Sequence, residues 1–100
     1  MRTVSVHDLR AALDGGATVI DVREPDEYAA GHVPGATLVP LMTVPHRLDD
    51  LPEGDPLYVV CAVGARSAQA AAFLSARGVE AVNVDGGTRD WMAAGYPLEH

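Results

Sequence analysis

The stretch LYVVCAVGARS, Leu57 to Ser67, places the only cysteine of the chain between an apolar run and an alanine-rich segment. Leu57 to Val60 is short, apolar on both faces and bounded by Gly54, Pro56 and the cysteine loop. That is the pattern of a strand buried on both sides. Arg66 to Arg77 is rich in strong helix formers, and Gly78 closes it. A buried strand feeding a helix through a short loop is one step of a strand–helix alternation, and the rest of the chain continues it.

On the N-terminal side, Ser5 is placed to cap a helix whose apolar positions are Val6, Leu9 and Leu13, stopped by Gly15-Gly16. TVIDV at 18–22 reads as a strand, Pro25 to Ala30 as a brief helix ended by Gly31, and TLVP at 37–40 as another strand. A short helix is expected over Pro45 to Asp50. On the C-terminal side, AVNV at 81–84 is the last strand, and Gly86-Gly87 leads into a helix carrying Trp91. Alternation of this kind predicts an α/β fold with a parallel sheet covered by helices on both faces. Ligands of such sheets bind beyond the carboxyl ends of the strands, where Cys61 and Asp21 fall.

One hundred residues with 48% hydrophobic content suffice for one compact core, so residues 1–97 are expected to form a single domain. Leu98-Glu99-His100 reads as a disordered tail or the start of a histidine tag, and no function is attached to His100. Seven basic against 14 acidic residues leave no cationic stripe for nucleic acid or anionic membrane. No apolar stretch approaches the ~20 residues of a spanning helix, and the charged N-terminus does not resemble a signal peptide. A lone cysteine fits a reducing, cytoplasmic setting.

In a turn joining a parallel strand to its helix, backbone N–H groups can converge into a nest, to which the helix N-terminus adds partial positive charge. Gly64 supplies the backbone freedom such a turn needs. A sulfur inside that ring is stabilised as an anion, so the Cys61 thiol should titrate below about 8.5. Arg66 and the Ser67 hydroxyl stand where the helix starts and can face an incoming anion. An isolated cysteine after an apolar strand is more often a buried structural residue. The Gly, Arg and Ser at these offsets reverse that order.

CAVGARS resembles the active-site loop of the rhodanese-like sulfurtransferases, Cys-x-x-Gly-x-[Arg/Thr/Ser]-[Ser/Thr]. DVREPDEYAAGHVPGA, Asp21 to Ala36, is similar to the family's upstream block, and VNVDGGTRDWMAAGYP, Val82 to Pro97, to its closing block. The resemblance implies a five-stranded parallel sheet flanked by helices and a cysteine that carries sulfane sulfur as a persulfide. On that reading Cys61 is the nucleophile, and Ala62, Val63, Gly64, Ala65, Arg66 and Ser67 cradle the substrate through their backbone N–H groups. The partners implied are a small sulfur donor such as thiosulfate and a thiol or cyanide acceptor, with a protein acceptor as a further option. No metal or organic cofactor is needed.

Asp21 and Arg23 are candidates for orienting the loop, Asp21 through a pairing with Arg66. His32 invites a cysteine–histidine hydrolase reading, but GHVPGA reads as a turn in which His32 bonds the backbone. His7 and His46 are expected to be solvated, Trp91 to lie in the core, and Glu24, Asp26 and Glu27 to face their own helix N-terminus. Cysteine-dependent phosphatases carry Cys-x5-Arg, whereas Cys61 to Arg66 is Cys-x4-Arg, and Val60 stands where their upstream histidine would be. A docking module without turnover is the remaining alternative, although such modules often lack the cysteine.

Overall fold

A computed structural model describes residues 1–100. Five parallel strands form one sheet: β1 (Arg2–Val4), β2 (Thr18–Asp21), β3 (Thr37–Leu38), β4 (Leu57–Val60) and β5 (Ala81–Val84), in the order β1-β5-β4-β2-β3. Four α-helices accompany them, three as connections and the last after β5: α1 (Val6–Asp14), α2 (Pro25–Ala30), α3 (Ala65–Ala76) and α4 (Gly87–Ala93). A 3-10 helix spans Leu41–His46. The sheet is parallel throughout, as the alternation predicts.

β4 lies at the centre, and all four of its residues are buried because helices cover both faces. One face packs Ile20, Leu57, Val59 and Ala81 against Ala70, Ala71 and Leu74 of α3. The other packs Val19, Tyr58, Val60, Val82 and Val84 against Val6 and Leu9 of α1 and Trp91 of α4. Cys61 belongs to the α3 side. Fully burying side chains of this size contributes about 1.5–3 kcal/mol each, so the two cores together hold β4 and its terminal residue in place.

Ser5 caps α1 in a reciprocal box, its hydroxyl accepting from the Asp8 N–H at 3.2 Å while Asp8 Oδ2 accepts from the Ser5 N–H at 3.1 Å. Trp91 is fully buried, and its indole N–H donates to the Pro97 carbonyl at 2.7 Å. The structure differs from the sequence reading or adds to it in three places. The helix placed at Pro45–Asp50 lies earlier, at Leu41–His46, where Pro40 starts the turn and the Thr43 N–H and hydroxyl both return to the Pro40 carbonyl. Arg2–Val4, which carries no strand signal beyond its β-branched residues, pairs along β5 as an edge strand. Residues 98–100, expected as a disordered tail or the start of a histidine tag, make contacts with the rest of the chain. Leu98 packs against the core beside Tyr96, and Glu99 exchanges two backbone hydrogen bonds with His32, each 2.8 Å.

Candidate active site

Cys61 continues β4 beyond its carboxyl end, and its side chain is 1% exposed. The loop turns at Gly64, whose φ of +115° lies in the region that favours glycine. A Cβ there would also stand 3.3 Å from the Gly86 nitrogen. The turn brings the Gly64 N–H to 3.1 Å from Cys61 Sγ. The thiol lies 3.3 Å from Ser67 Oγ. Ser67 is itself fully buried, 2.6 Å from Asn83 Oδ1 on β5 and 3.1 Å from the Gly64 carbonyl.

Burial pushes the Cys61 thiol up. The Ser67 hydroxyl and the backbone N–H groups of Ser67, Gly64 and Val63 pull it down, and the outcome lies below the ordinary thiol value. The hydroxyl has one proton to give. While the sulfur is protonated, S–H can donate to Ser67 Oγ and the hydroxyl to Asn83. Once the sulfur is an anion, the hydroxyl must turn towards it.

A second strut comes from the far side of the loop. The Thr88 N–H and hydroxyl both donate to the Cys61 carbonyl, at 2.9 and 3.0 Å, and the Arg89 N–H donates to the Ala62 carbonyl at 3.0 Å. This contact requires glycine at 87, where a Cβ would stand 2.4 Å from the Cys61 carbonyl oxygen.

The charged candidates are arranged differently from expectation. Asp21 does not pair with Arg66. Its carboxylate is fully buried and accepts from Arg23 Nε at 3.1 Å, Arg23 Nη2 at 2.9 Å and the Arg23 N–H at 3.0 Å. Arg23 Nη2 also donates to the Gly31 carbonyl at 2.8 Å, spanning the two ends of α2. The preference has a simple cause, since two residues' separation lets the fork close on the carboxylate within its own loop.

Arg66 instead reaches α2, donating from Nη1 to Glu27 Oε1 at 2.7 Å and from Nη2 to Oε2 at 2.9 Å. Glu27 Oε1 also accepts the Glu24 N–H at 3.0 Å, so the carboxylate is fixed by its own helix start. The Arg66 hydrogen bonds, followed by that of Glu24, lower the Glu27 pKa to about 2. Glu27 raises the Arg66 pKa in return, with smaller contributions from the charges of Cys61 and Asp21.

His32 is buried, stacked on Tyr28 with ring centroids 3.7 Å apart, and its Nδ1 lies 2.9 Å from the Tyr28 carbonyl. His46 is exposed. His7 is exposed but bonded to the Tyr96 hydroxyl at 2.6 Å. Glu27, Asn83 and Thr88 join the site without having been foreseen. Of these, only Asn83 left a signal, as a polar residue inside the otherwise apolar strand AVNV.

This sheet, with a cysteine loop opening onto a helix N-terminus, defines a class of protein, and the comparisons agree. The chain matches the family model of the Rhodanese-like domain over residues 5–94 and belongs to that family. A solved rhodanese-related protein from Thermoplasma volcanium superposes with a TM-score of 0.91 at 34% identity, covering 99% of this chain and 98% of that one. The thiosulfate sulfurtransferase GlpE of Pseudomonas entomophila is 40% identical over 85 residues, 84% of this chain and 77% of its own. YrkF of Bacillus subtilis is 40% identical over 79 residues and 78% of this chain, which spans only 43% of that relative's length.

Proposed function

We propose that the chain is a sulfurtransferase that moves sulfane sulfur through a Cys61 persulfide. The observation that carries the reading is the donor-lined sulfur: the Gly64 N–H at 3.1 Å and the Ser67 hydroxyl at 3.3 Å face an atom whose pKa they hold down. The Cys61 thiolate attacks the outer sulfur of a donor such as thiosulfate. A new S–S bond forms, the bond to the sulfonate sulfur breaks, and sulfite leaves with its electron pair. Negative charge then rests on the terminal sulfur of the persulfide, which the loop N–H groups can stabilise as they stabilise the thiolate. Cyanide or an acceptor thiolate attacks that terminal sulfur in the second half-reaction, and the Cys61 thiolate is the leaving group.

Thiosulfate as donor is supported by the names of the Pseudomonas relatives. A phosphatase reading loses support from Arg66, because both of its Nη groups are turned to the Glu27 carboxylate, which offsets the charge a phosphoryl group would meet. Asp21 and Arg23 serve this chemistry as supports, tying the end of β2 to α2, which carries Glu27. Intact-mass measurement tests the reading. Thiosulfate should add one sulfur atom, cyanide should remove it as thiocyanate, and Cys61→Ser should do neither. Sulfur loading by the serine variant, or none by the unmodified protein, rejects it.

A further inference from the structure

All seven basic side chains of the protein are arginines. Three of them stand just past the carboxyl ends of β2, β4 and β5, in the loop before α2 and in the first turns of α3 and α4, and each meets a carboxylate: Arg23 with Asp21, Arg66 with Glu27 and Arg89 with Asp90. Around the sulfur, Ala62, Val63 and Ala65 bring no charge, and Asp85 turns a carboxylate oxygen towards the back of Gly64. A loop that would receive a dianion therefore presents no unpaired cation.

Arg66 is the guanidinium that opens α3 at the end of the loop, and Glu27 pairs with both of its Nη groups. The pair is about one-third exposed on each side, so its charge is open to whatever approaches the loop. Glu27 is not held by Arg66 alone, because the Glu24 N–H fixes the same carboxylate at the start of α2. The other end of α2 is tied to the buried Asp21–Arg23 pair through the Gly31 carbonyl. Arg66 stands in the first turn of α3, between the Gly64 turn and Ser67, whose hydroxyl lies 3.3 Å from Cys61 Sγ.

We propose that Glu27 is the specificity-determining positioning residue of this site: by pairing with both Nη groups of Arg66 it offsets that cation's charge and biases Cys61 against small dianions. The substrate side of the inference rests on the sulfur-transfer reading, but its test does not. Removing the carboxylate charge leaves Arg66 as a free anion anchor beside the loop, and the preference for anionic reagents rises.

Cys61 is the sole thiol, so alkylation reports on it alone. The rate ratio of anionic iodoacetate to neutral iodoacetamide measures the potential at the sulfur, and a change in thiolate fraction cancels from it. In Glu27→Gln the ratio should rise about threefold or more at low salt, as an unscreened charge near the reacting atom gives. It should return to the starting value in Glu27→Gln/Arg66→Gln, and the gain should shrink at high salt. The KM for thiosulfate should fall by a similar factor in Glu27→Gln. A pair that only fastens α2 to the loop would lower the melting temperature and speed both reagents alike. That unchanged ratio overturns the proposal. The unmodified protein supplies a check that needs no variant: its ratio should not fall as salt is added, and a fall would show Arg66 already acting as a free cation. If thiosulfate loads no variant, the sulfur-transfer reading fails while the alkylation ratio still decides the role of Glu27.

Discussion

Thr88 grips the carbonyl of Cys61 twice, with its backbone N–H at 2.9 Å and its hydroxyl at 3.0 Å. The Cys61 loop is thus held from behind by the first turn of α4, while Ser67 and Asn83 hold it from the α3 side. The close approach depends on a residue with no side chain.

Gly87→Ala should therefore damage the protein more than its backbone angle alone explains. The φ of +53° penalises alanine, and the added Cβ would stand 2.4 Å from the Cys61 carbonyl oxygen. Gly78 provides the control, with φ +85° and nothing within 4 Å of a Cβ. Gly78→Ala should cost about 1 kcal/mol from backbone strain. Gly87→Ala should cost at least about 2 kcal/mol more, since backbone must move. Chemical denaturation of both variants checks this, and equal losses would show that the contact yields easily.

Asp21→Asn should be among the most destabilising polar substitutions in the chain. Arg23 is 6% exposed, and its partner Asp21 is completely buried. Removing one charge leaves the other buried and uncompensated, at a cost of about 3–5 kcal/mol. Arg23→Lys should not rescue the site, because an ammonium cannot reach both carboxylate oxygens and the Gly31 carbonyl as a planar fork does. Denaturation midpoints for the two variants decide the matter. A loss under about 1 kcal/mol in Asp21→Asn would mean that water reaches Arg23.

The fold was legible wherever local pattern and tertiary demand coincide. Leu57–Val60 is apolar on both faces, and Ala81–Val84 is so except at Asn83, because helices cover both faces, so composition marks them. Arg2–Val4 was not legible, since an edge strand is half-exposed and its pairing with β5 is decided some 80 residues away. The loop was legible because Gly64 and Cys61 serve it at fixed local offsets. The ion pairs were not. Arg66 was expected to pair with Asp21, but in the fold Arg23 fills Asp21 and Arg66 takes Glu27. Competition between partners is a property of the folded site, and no spacing in the chain records it.

The Glu27–Arg66 pair should appear in acid stability with a definite sign. The folded Glu27 pKa of about 2 lies below its ordinary 4.5, so the pair's contribution is complete above about 4.5 and is lost as pH falls through about 2. Because the pair is one-third exposed, its coupling energy should not exceed about 1 kcal/mol. Melting temperatures of the unmodified protein and Glu27→Gln should therefore differ by a constant amount near neutrality and converge in acid. A double-mutant cycle should give coupling between positions 27 and 66 and additivity between 21 and 66. Coupling confined to 21 and 66 would contradict the arrangement of the two pairs.

Ser67→Ala acts on the sulfur and on the fold at once, and the two effects separate with pH. The hydroxyl is the foremost of the groups that hold the Cys61 thiol below its ordinary value, and burial opposes it. Without it, burial gains and the thiol should titrate higher. The inflection of the iodoacetamide rate against pH should move upward, and at neutral pH the variant should react more slowly. The sign for stability follows from the depressed folded pKa: the thiolate contributes stability above the unfolded pKa, and this is lost as pH falls through the folded one. The stability deficit of Ser67→Ala should therefore widen in alkali, where the unmodified protein gains from its thiolate. At low pH a smaller deficit should persist, because Asn83 Oδ1 loses the donor now at 2.6 Å, a loss of about 1–3 kcal/mol for a buried acceptor. A deficit independent of pH, with an unmoved alkylation inflection, would show that Ser67 serves Asn83 alone and that the backbone N–H groups suffice for the sulfur.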